Sequence, residues 1–76
     1  MKEDVLNLLK EVLPQIDFTA SERLVDDGIL DSISIITLVS ELSAEYDIEF
    51  DLAQLKPENL NSIDAIVNTI QSLQNK

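Results

Sequence analysis

The fold is decided by residues 28–33, where a turn leads into a helix with a regular apolar pattern: Gly28-Ile29-Leu30-Asp31-Ser32-Ile33. Gly28 is the only glycine of the chain and can adopt the positive φ that other residues avoid. Asp31 is a residue type preferred at helix N-caps, and it stands directly before the apolar-periodic segment. The stretch therefore predicts a helix that begins at Asp31 or Ser32 and presents Ser32 in its first turn.

Apolar residues at helical spacing predict two further main helices. One covers residues 3–13 and ends near Pro14, which cannot continue a helix. The other follows a cap at Asn61 or Ser62, and a short helical turn precedes it at residues 56–60. The predicted fold class is all-α, a small antiparallel bundle of three main helices plus one short helix.

Each predicted helix has one apolar face that should point inward. The second helix is expected to continue to about Tyr46, and Ile33 and Leu38 fall outside its inner face. Those two residues either contact partners or are ordinary exposed apolar residues. The predicted inner residues are Val5, Leu6, Leu8, Leu9, Val12 and Leu13 in the first helix, Ile35, Ile36, Val39, Leu42 and Tyr46 in the second, and Ile63, Ile66, Val67, Ile70 and Leu73 in the last.

Residues 15–31 show no sustained period and predict a long loop anchored by scattered apolar residues. Within it, residues 19–22 (Thr19-Ala20-Ser21-Glu22) have the spacing of a capping box, which favours a short helical turn. Residues 47–50 alternate apolar and acidic side chains over too short a run to indicate a strand. The loop before Ser32 is therefore the segment most in need of a functional explanation.

Composition excludes several classes of function. The 76 residues fit one domain, residues 1–76, and a net charge of −10 with a pI near 4.1 disfavours binding to nucleic acid or to anionic membranes. The same charge attracts basic protein surfaces. No residue is cysteine or histidine, so the chain lacks a thiol nucleophile and the usual base at neutral pH. We therefore do not expect the chain to catalyse a reaction by itself.

No targeting signal is evident at the amino end, where residues 1–4 read Met1-Lys2-Glu3-Asp4, and no apolar run approaches the ~20 residues needed to cross a bilayer. We therefore expect a cytoplasmic protein without membrane insertion. Asp26, Asp27 and Asp31 lack the ligand spacing of a calcium-binding loop, so no metal site is predicted. Ser32 has no neighbouring base, which argues against a catalytic nucleophile.

The Asp31-Ser32 pair has two interpretations. At the start of any helix, such a pair is most often a plain N-cap followed by a filler residue. Here a long loop leads in, Gly28 can turn the chain, and residues 29–30 can anchor the loop end. A phosphodiester on the oxygen of Ser32 would then sit at the positive end of a helix dipole.

Residues 24–33 resemble the modification loop of acyl carrier proteins, in the sequence Leu24-Val25-Asp26-Asp27-Gly28-Ile29-Leu30-Asp31-Ser32-Ile33. The resemblance extends over essentially the whole chain, including its length, helix order and acidity. It implies that a phosphopantetheinyl transferase moves 4′-phosphopantetheine from coenzyme A onto Ser32, with Asp31 and Gly28 setting the loop geometry. It also implies that the thiol of this arm carries acyl groups as thioesters.

The spacing inside the loop is similar to that of D-alanyl carrier proteins, because Gly28 stands four residues before Ser32. Carriers of fatty-acid synthesis usually place this glycine three residues before the serine and have more acidic residues along the second helix. Peptidyl carriers usually have a histidine before the serine, and this chain has none. D-alanyl carriers typically have a tryptophan where this chain has residues 58–60. Two alternative assignments therefore stay open: a carrier of another amino acid or small acyl group, and a carrier of fatty-acid or polyketide synthesis.

The resemblance also implies partners: the phosphopantetheinyl transferase, an acyl- or aminoacyl-activating ligase and an acyl-accepting transferase. Because such enzymes would bind the carrier only transiently and one after another, we expect the protein to be a monomer. A different class, an acidic helical protein-interaction module without a prosthetic group, fits the same composition. The residues expected to contact partners are Asp26, Asp27, Ile33, Leu38, Glu41 and Glu45.

Overall fold

The computed structural model describes residues 1–75 as an all-helical bundle. The helices are α1 (Lys2–Val12), α2 (Ser32–Tyr46), α3 (Pro57–Leu60) and α4 (Ile63–Gln74). Helix α4 packs against each of the other three, and α1 also packs against α2. Within residues 1–75 the structure contains no strand. The predicted fold class, three main helices and one short one, is confirmed.

Local sequence explains where the helices begin and end. Glu3 and Asp4 lie in the first turn of α1 and Lys10 in its last, which matches the charges of the helix dipole. The helix closes with a hydrogen bond from the N–H of Leu13 to the carbonyl of Leu9, 2.9 Å long, and Pro14 follows. At α4 the alternative caps are resolved in favour of Ser62, whose hydroxyl accepts a hydrogen bond from the N–H of Ala65 at 3.0 Å.

One hydrophobic core, built almost wholly from leucine, isoleucine and valine, joins the helices to the long loop. Phe18 is its buried aromatic residue, 2% exposed. Burying one such aliphatic side chain contributes about 2 kcal/mol. The core comprises Val5, Leu9, Leu13, Ile16, Phe18, Leu24, Leu30, Leu38, Leu42, Ile48, Leu60, Ile63, Ile66, Val67, Ile70 and Leu73.

The inner face of α2 differs from the prediction. Leu38, expected outside the buried stripe, is 0% exposed, whereas Ile36, expected inside it, is 65% exposed. The buried residues are Ser34, Leu38 and Leu42, spaced four apart, with Ile35 and Val39 half-buried beside them. Because isoleucine, leucine and valine occur on nearly every side of this helix, the apolar period alone did not identify which side faces α1 and α4.

The long loop is anchored as predicted. Ile16, Phe18, Leu24 and Leu30 are all buried in the common core. The predicted helical turn at residues 19–22 is wrong, because these residues form no helix. Both the amide and the hydroxyl of Thr19 instead donate to Oδ1 of Asp17, and a side chain that bonds locally in this way favours a turn over a helix.

We expect Leu38→Ala to lower the free energy of unfolding by about 3 kcal/mol, because it leaves a cavity among residues that are fully buried. The matched change Ile36→Ala, two residues earlier on the same helix, should alter it by less than about 0.5 kcal/mol. Urea denaturation followed by far-ultraviolet circular dichroism measures both. Equal losses in the two variants would contradict the assignment of Leu38 to the core.

Candidate attachment site at the start of α2

The start of α2 is a capped helix end with Ser32 as its first residue. Asp31 is the N-cap in extended conformation, and its Oδ1 accepts a hydrogen bond from the N–H of Ser34 at 2.8 Å. The carbonyl of Asp31 accepts the first helical bond, from the N–H of Ile35 at 2.9 Å. Ser32 itself is exposed. The backbone of this turn is thus fixed by Asp31, while the serine side chain faces outward.

The cap also determines the charge of Asp31. The hydrogen bond from the amide of Ser34 lowers the pKa of the Asp31 carboxyl below its ordinary value, and the side chain of Ser34 and the amide of Ile33 act in the same direction. Desolvation opposes them. The carboxylate is therefore ionised at neutral pH, beside the serine and at the positive end of the helix dipole.

The turn before the helix depends on Gly28, which has a φ of 76°. A Cβ at this position would meet no atom within 4 Å, so the glycine is needed for its backbone conformation and not for space. The N–H of Gly28 donates to the carbonyl of Val25 at 3.1 Å, and the N–H of Asp27 donates to that of Arg23 at 2.7 Å. These bonds close the turn that brings the chain to Asp31.

Leu24 and Leu30 connect the two ends of this turn inside the core. The N–H of Leu30 donates to the carbonyl of Leu24 at 2.9 Å, and the side chains are 2% and 0% exposed respectively. Ile29, between the turn and Leu30, is half-buried. The residue that precedes the cap is consequently held by both its backbone and its side chain.

Asn61, at the junction of α3 and α4, also binds this loop, and the sequence did not reveal it. Its Oδ1 accepts hydrogen bonds from the N–H groups of Val25 and Asp26, at 2.9 and 3.1 Å. Its Nδ2 donates to Oδ2 of Asp26 at 3.0 Å. From sequence, Asn61 is a candidate cap of the last helix, and a contact across 35 residues leaves no local pattern by which it could be found.

The three acidic residues of the loop each have their own local partner. Asp26 binds Asn61 and lies 3.9 Å from Nε of Arg23, and Asp27 accepts a hydrogen bond from the hydroxyl of Ser21 at 2.7 Å. Asp31 caps α2. Within residues 1–75 no group of three or more histidine, cysteine or acidic side chains is arranged to hold a metal ion.

The residues expected to contact partners separate into accessible and inaccessible ones. Ile33 is 76% exposed, and Glu41 and Glu45 are exposed as well. Leu38 is fully buried, so the expectation that it contacts partners is wrong. Ile36, which the apolar pattern had placed on the inner face, is 65% exposed on the same helix.

Helical spacing places the exposed isoleucines on one side of α2. Ile33, Ile36, Ser40 and Ala44 are all exposed and follow one another at intervals of three and four residues, so they share one face, the outer face of α2. None of the four is charged. The acidic side chains that give the chain its net charge of −10 therefore lie outside these four positions.

The site can take a group esterified to Ser32. Its hydroxyl is accessible, the open space at Gly28 leaves room beside the turn, and the amino end of a 15-residue helix favours a phosphate. The family model for the phosphopantetheine attachment site matches residues 3–70. The chain belongs to this family. The prosthetic group of the family is 4′-phosphopantetheine, attached covalently.

Curated relatives that the chain resembles are D-alanyl carrier proteins. That of Streptococcus suis (strain 05ZYH33) is 27% identical over 74 residues, which cover 96% of this chain and 94% of the relative. That of Streptococcus mutans is 28% identical over 76 residues, covering 99% and 96%. That of Streptococcus uberis is 33% identical over 54 residues, covering 71% and 68%. No solved structure matches the chain. In the described part of the chain, no helix has the length and apolar character needed to cross a bilayer.

The Asp31 cap predicts a pH dependence. Because the pKa of Asp31 is lower in the folded protein than the ordinary 3.8, this carboxylate stabilises the fold above its unfolded pKa. That contribution is lost as the pH falls through the lowered value. A carbon-detected NMR titration should place the Asp31 carboxyl midpoint below 3.8, and Asp31→Asn should flatten the acid side of the stability profile. A midpoint at or above 3.8 would contradict the cap as described.

Proposed function

We propose that Ser32 is the residue that carries 4′-phosphopantetheine, and that residues 1–76 form a single carrier domain that presents a thioester to partner enzymes. The observation that carries the proposal is one accessible serine hydroxyl, held in the first turn of α2 by the Asp31 cap and the Gly28 turn. The family match over residues 3–70 supports it, because this helix start lies inside the matched segment.

The chain's own residues bind and orient, and they supply no proton transfer. Formation of the phosphoester requires that the hydroxyl of Ser32 lose its proton, and the chain contains no histidine or cysteine that could accept it. The base therefore belongs to the transferase. Asp31 contributes by accepting from the first-turn amide of Ser34, which keeps the helix start rigid. The serine oxygen then attacks the phosphorus next to pantetheine, the pyrophosphate bond of coenzyme A breaks, and adenosine 3′,5′-bisphosphate leaves.

The prosthetic group, when attached, supplies the thiol that a cysteine-free chain lacks. Its flexible length raises the effective concentration of the bound acyl group at a docked enzyme. The protein's part is to hold the attachment point still. The buried Leu30, two residues before Ser32, does this by fixing the chain that enters the helix.

The proposed cargo is D-alanine, another amino acid or a small acyl group. The position of Gly28 four residues before Ser32 supports this, and so does the name D-alanyl carrier protein borne by the relatives. The front of α2 supports it as well: residues 32–40 contain no acidic side chain, whereas a carrier that docked on basic sites along the whole helix would need acidic residues there. The alternative is a carrier of fatty-acid or polyketide synthesis.

The proposed partners are the phosphopantetheinyl transferase, an activating ligase and an acyl-accepting transferase. Ile33 and Ile36 give them an apolar contact immediately beside Ser32. Asp26 and Asp27 lie in the loop that precedes Ser32, and Glu41 and Glu45 lie further along α2, with Glu45 about 20 Å from Ser32 along the helix axis. Charge then guides the encounter and the isoleucines select the partner.

The competing class is an acidic interaction module that carries no prosthetic group. Net charge and helical packing fit both classes equally. The Gly28 turn, the free serine at the helix start and the family match favour the carrier.

Incubation with coenzyme A and a promiscuous phosphopantetheinyl transferase should add one phosphopantetheine to the wild-type chain, because Ser32 is accessible. Ser32→Ala should abolish the addition. Ser72→Ala removes an exposed serine from α4 and should leave it intact. Intact-mass spectrometry measures the addition in the wild-type chain and in both variants. An unmodified wild-type chain would contradict the carrier assignment.

The modified protein should accept an amino acid from an amino-acid-activating ligase and should not accept malonate from a malonyl transferase. The physical reason is the front of α2, from Ser32 to Ser40, which has no carboxylate for a basic docking site to bind. Thioester formation is followed by intact mass, with Ser32→Ala as the unloaded control. Loading with malonate but with no amino acid would reverse the ranking of the two cargo classes.

A further inference from the structure

We propose that Asn61 is a positioning residue for the reaction at Ser32, acting across the fold through the loop at residues 24–30. The proposal rests on the proposed function, since it concerns the same serine. Asn61 touches neither Ser32 nor the cap. It fixes the far end of the loop that delivers them, from the junction between α3 and α4.

Asn61 meets three consecutive amides of the loop. Its backbone carbonyl accepts from the N–H of Leu24 at 2.8 Å, and its side-chain oxygen accepts from the N–H groups of Val25 and Asp26 at 2.9 and 3.1 Å. These are the first amides of the turn at residues 24–28. Asn61 therefore does from a distance of 35 and 36 residues what an N-cap does locally.

The contact specifies an asparagine. The side chain must accept two hydrogen bonds with its oxygen and donate one through Nδ2 to the carboxylate of Asp26, at 3.0 Å. Only a primary amide presents both functions from one planar group at this reach. An aspartate would keep the two accepted bonds but set its second oxygen against the carboxylate of Asp26. An alanine would leave both amides without this partner.

A continuous path leads from Asn61 to Ser32. The carbonyl of Asn61 holds the N–H of Leu24, and the carbonyl of Leu24 holds the N–H of Leu30. Leu30 is followed directly by the cap residue Asp31 and then by Ser32. Displacement of the turn, which begins at Leu24, is thereby passed to the cap residue through one backbone hydrogen bond and one peptide unit. The side chain of Asn61 limits that displacement by holding the next two amides.

The fixed end of this path is well supported. Leu60, the residue before Asn61, is fully buried, and Ser62, the residue after it, caps α4. Helix α4 packs against the three other helices. Asn61 thus fixes the position of the loop relative to α4, the central helix of the bundle.

The side-chain bonds of Asn61 lie near the surface, with Asp26 exposed and Val25 half-buried. The leucines beneath them, Leu24 and Leu30, are buried by the core and do not need the amide to stay there. Removing the side chain therefore loosens the loop without unfolding the bundle. The predicted effect is on the rate of reaction at Ser32.

The test compares loading of Ser32 by coenzyme A and a phosphopantetheinyl transferase in matched variants, at a temperature where all are folded. Asn61→Ala should lower kcat/KM about fivefold, because it removes the three side-chain hydrogen bonds that hold the loop, each of small net effect near the surface. Asn59→Ala is the control: its side chain donates to the carbonyls of Ala53 and Gln54, on the loop between α2 and α3, and loading should be unchanged.

An amide–carboxylate exchange gives a second, independent measurement. Asn61→Asp should slow loading at least as much as Asn61→Ala, because two carboxylates then face each other. Combining it with Asp26→Asn exchanges donor and acceptor and restores the contact. The double variant should load at the rate of Asp26→Asn alone, and hydrogen exchange at the amides of Val25 and Leu30 should return to the rates measured in Asp26→Asn.

The possible results distinguish a failure of the role proposed for Asn61 from a failure of the carrier assignment. If Asn61→Ala is loaded as fast as the wild-type chain, even with a lower Tm, Asn61 has a structural role only. That result would overturn the inference and leave the carrier assignment intact. Equal slowing by Asn59→Ala, or no rescue by the exchanged pair, would overturn it as well. A wild-type chain that is not loaded at all would overturn the carrier assignment itself and the inference with it.

Discussion

The backbone of Leu24 is the point on which the rest of the site depends. Its N–H is bound by Asn61 at 2.8 Å, its carbonyl binds Leu30 at 2.9 Å, and its side chain is fully buried. A loop without regular structure loses about 1–2 kcal/mol of backbone conformational entropy for each residue that is fixed. Anchoring the loop through a few buried residues, among them Leu24, offsets that cost and leaves Asp26, Asp27 and Gly28 between the anchors exposed.

The acidic residues of the chain act at two ranges. A net charge of −10 attracts basic surfaces from beyond contact distance, whereas individual carboxylates of the loop are already engaged with Asn61, Ser21 and the amide of Ser34. These hydrogen-bonded carboxylates therefore stabilise the loop conformation and also add to the negative electrostatic potential of the protein. The outer face of α2 bears no charge, and its two large apolar side chains, Ile33 and Ile36, are 76% and 65% exposed. In the proposed function these two residues distinguish partners at short range.

How much the sequence predicted depended on the range of each interaction. The start of α2 was predicted because Asp31 acts on an amide only three residues away. The inner face of α2 was assigned wrongly at Ile36 and Leu38, since a helix with apolar residues on nearly all sides is oriented by its neighbours and not by its own pattern. Asn61 was beyond prediction, because its partners are 35 and 36 residues away and its residue type is common at helix junctions.

The order of the two residues at the helix start has a physical consequence for attachment. Serine and aspartate are about equally good N-caps, and a serine in the cap would commit its oxygen to a first-turn amide. Here Asp31 takes the amide of Ser34, so Ser32, one position later, is not required as a cap. The helix keeps its cap, and the serine oxygen is left for an ester. If Ser32 carries the prosthetic group as proposed, the same turn provides a rigid attachment point and an available hydroxyl, which a single capping serine could not provide together.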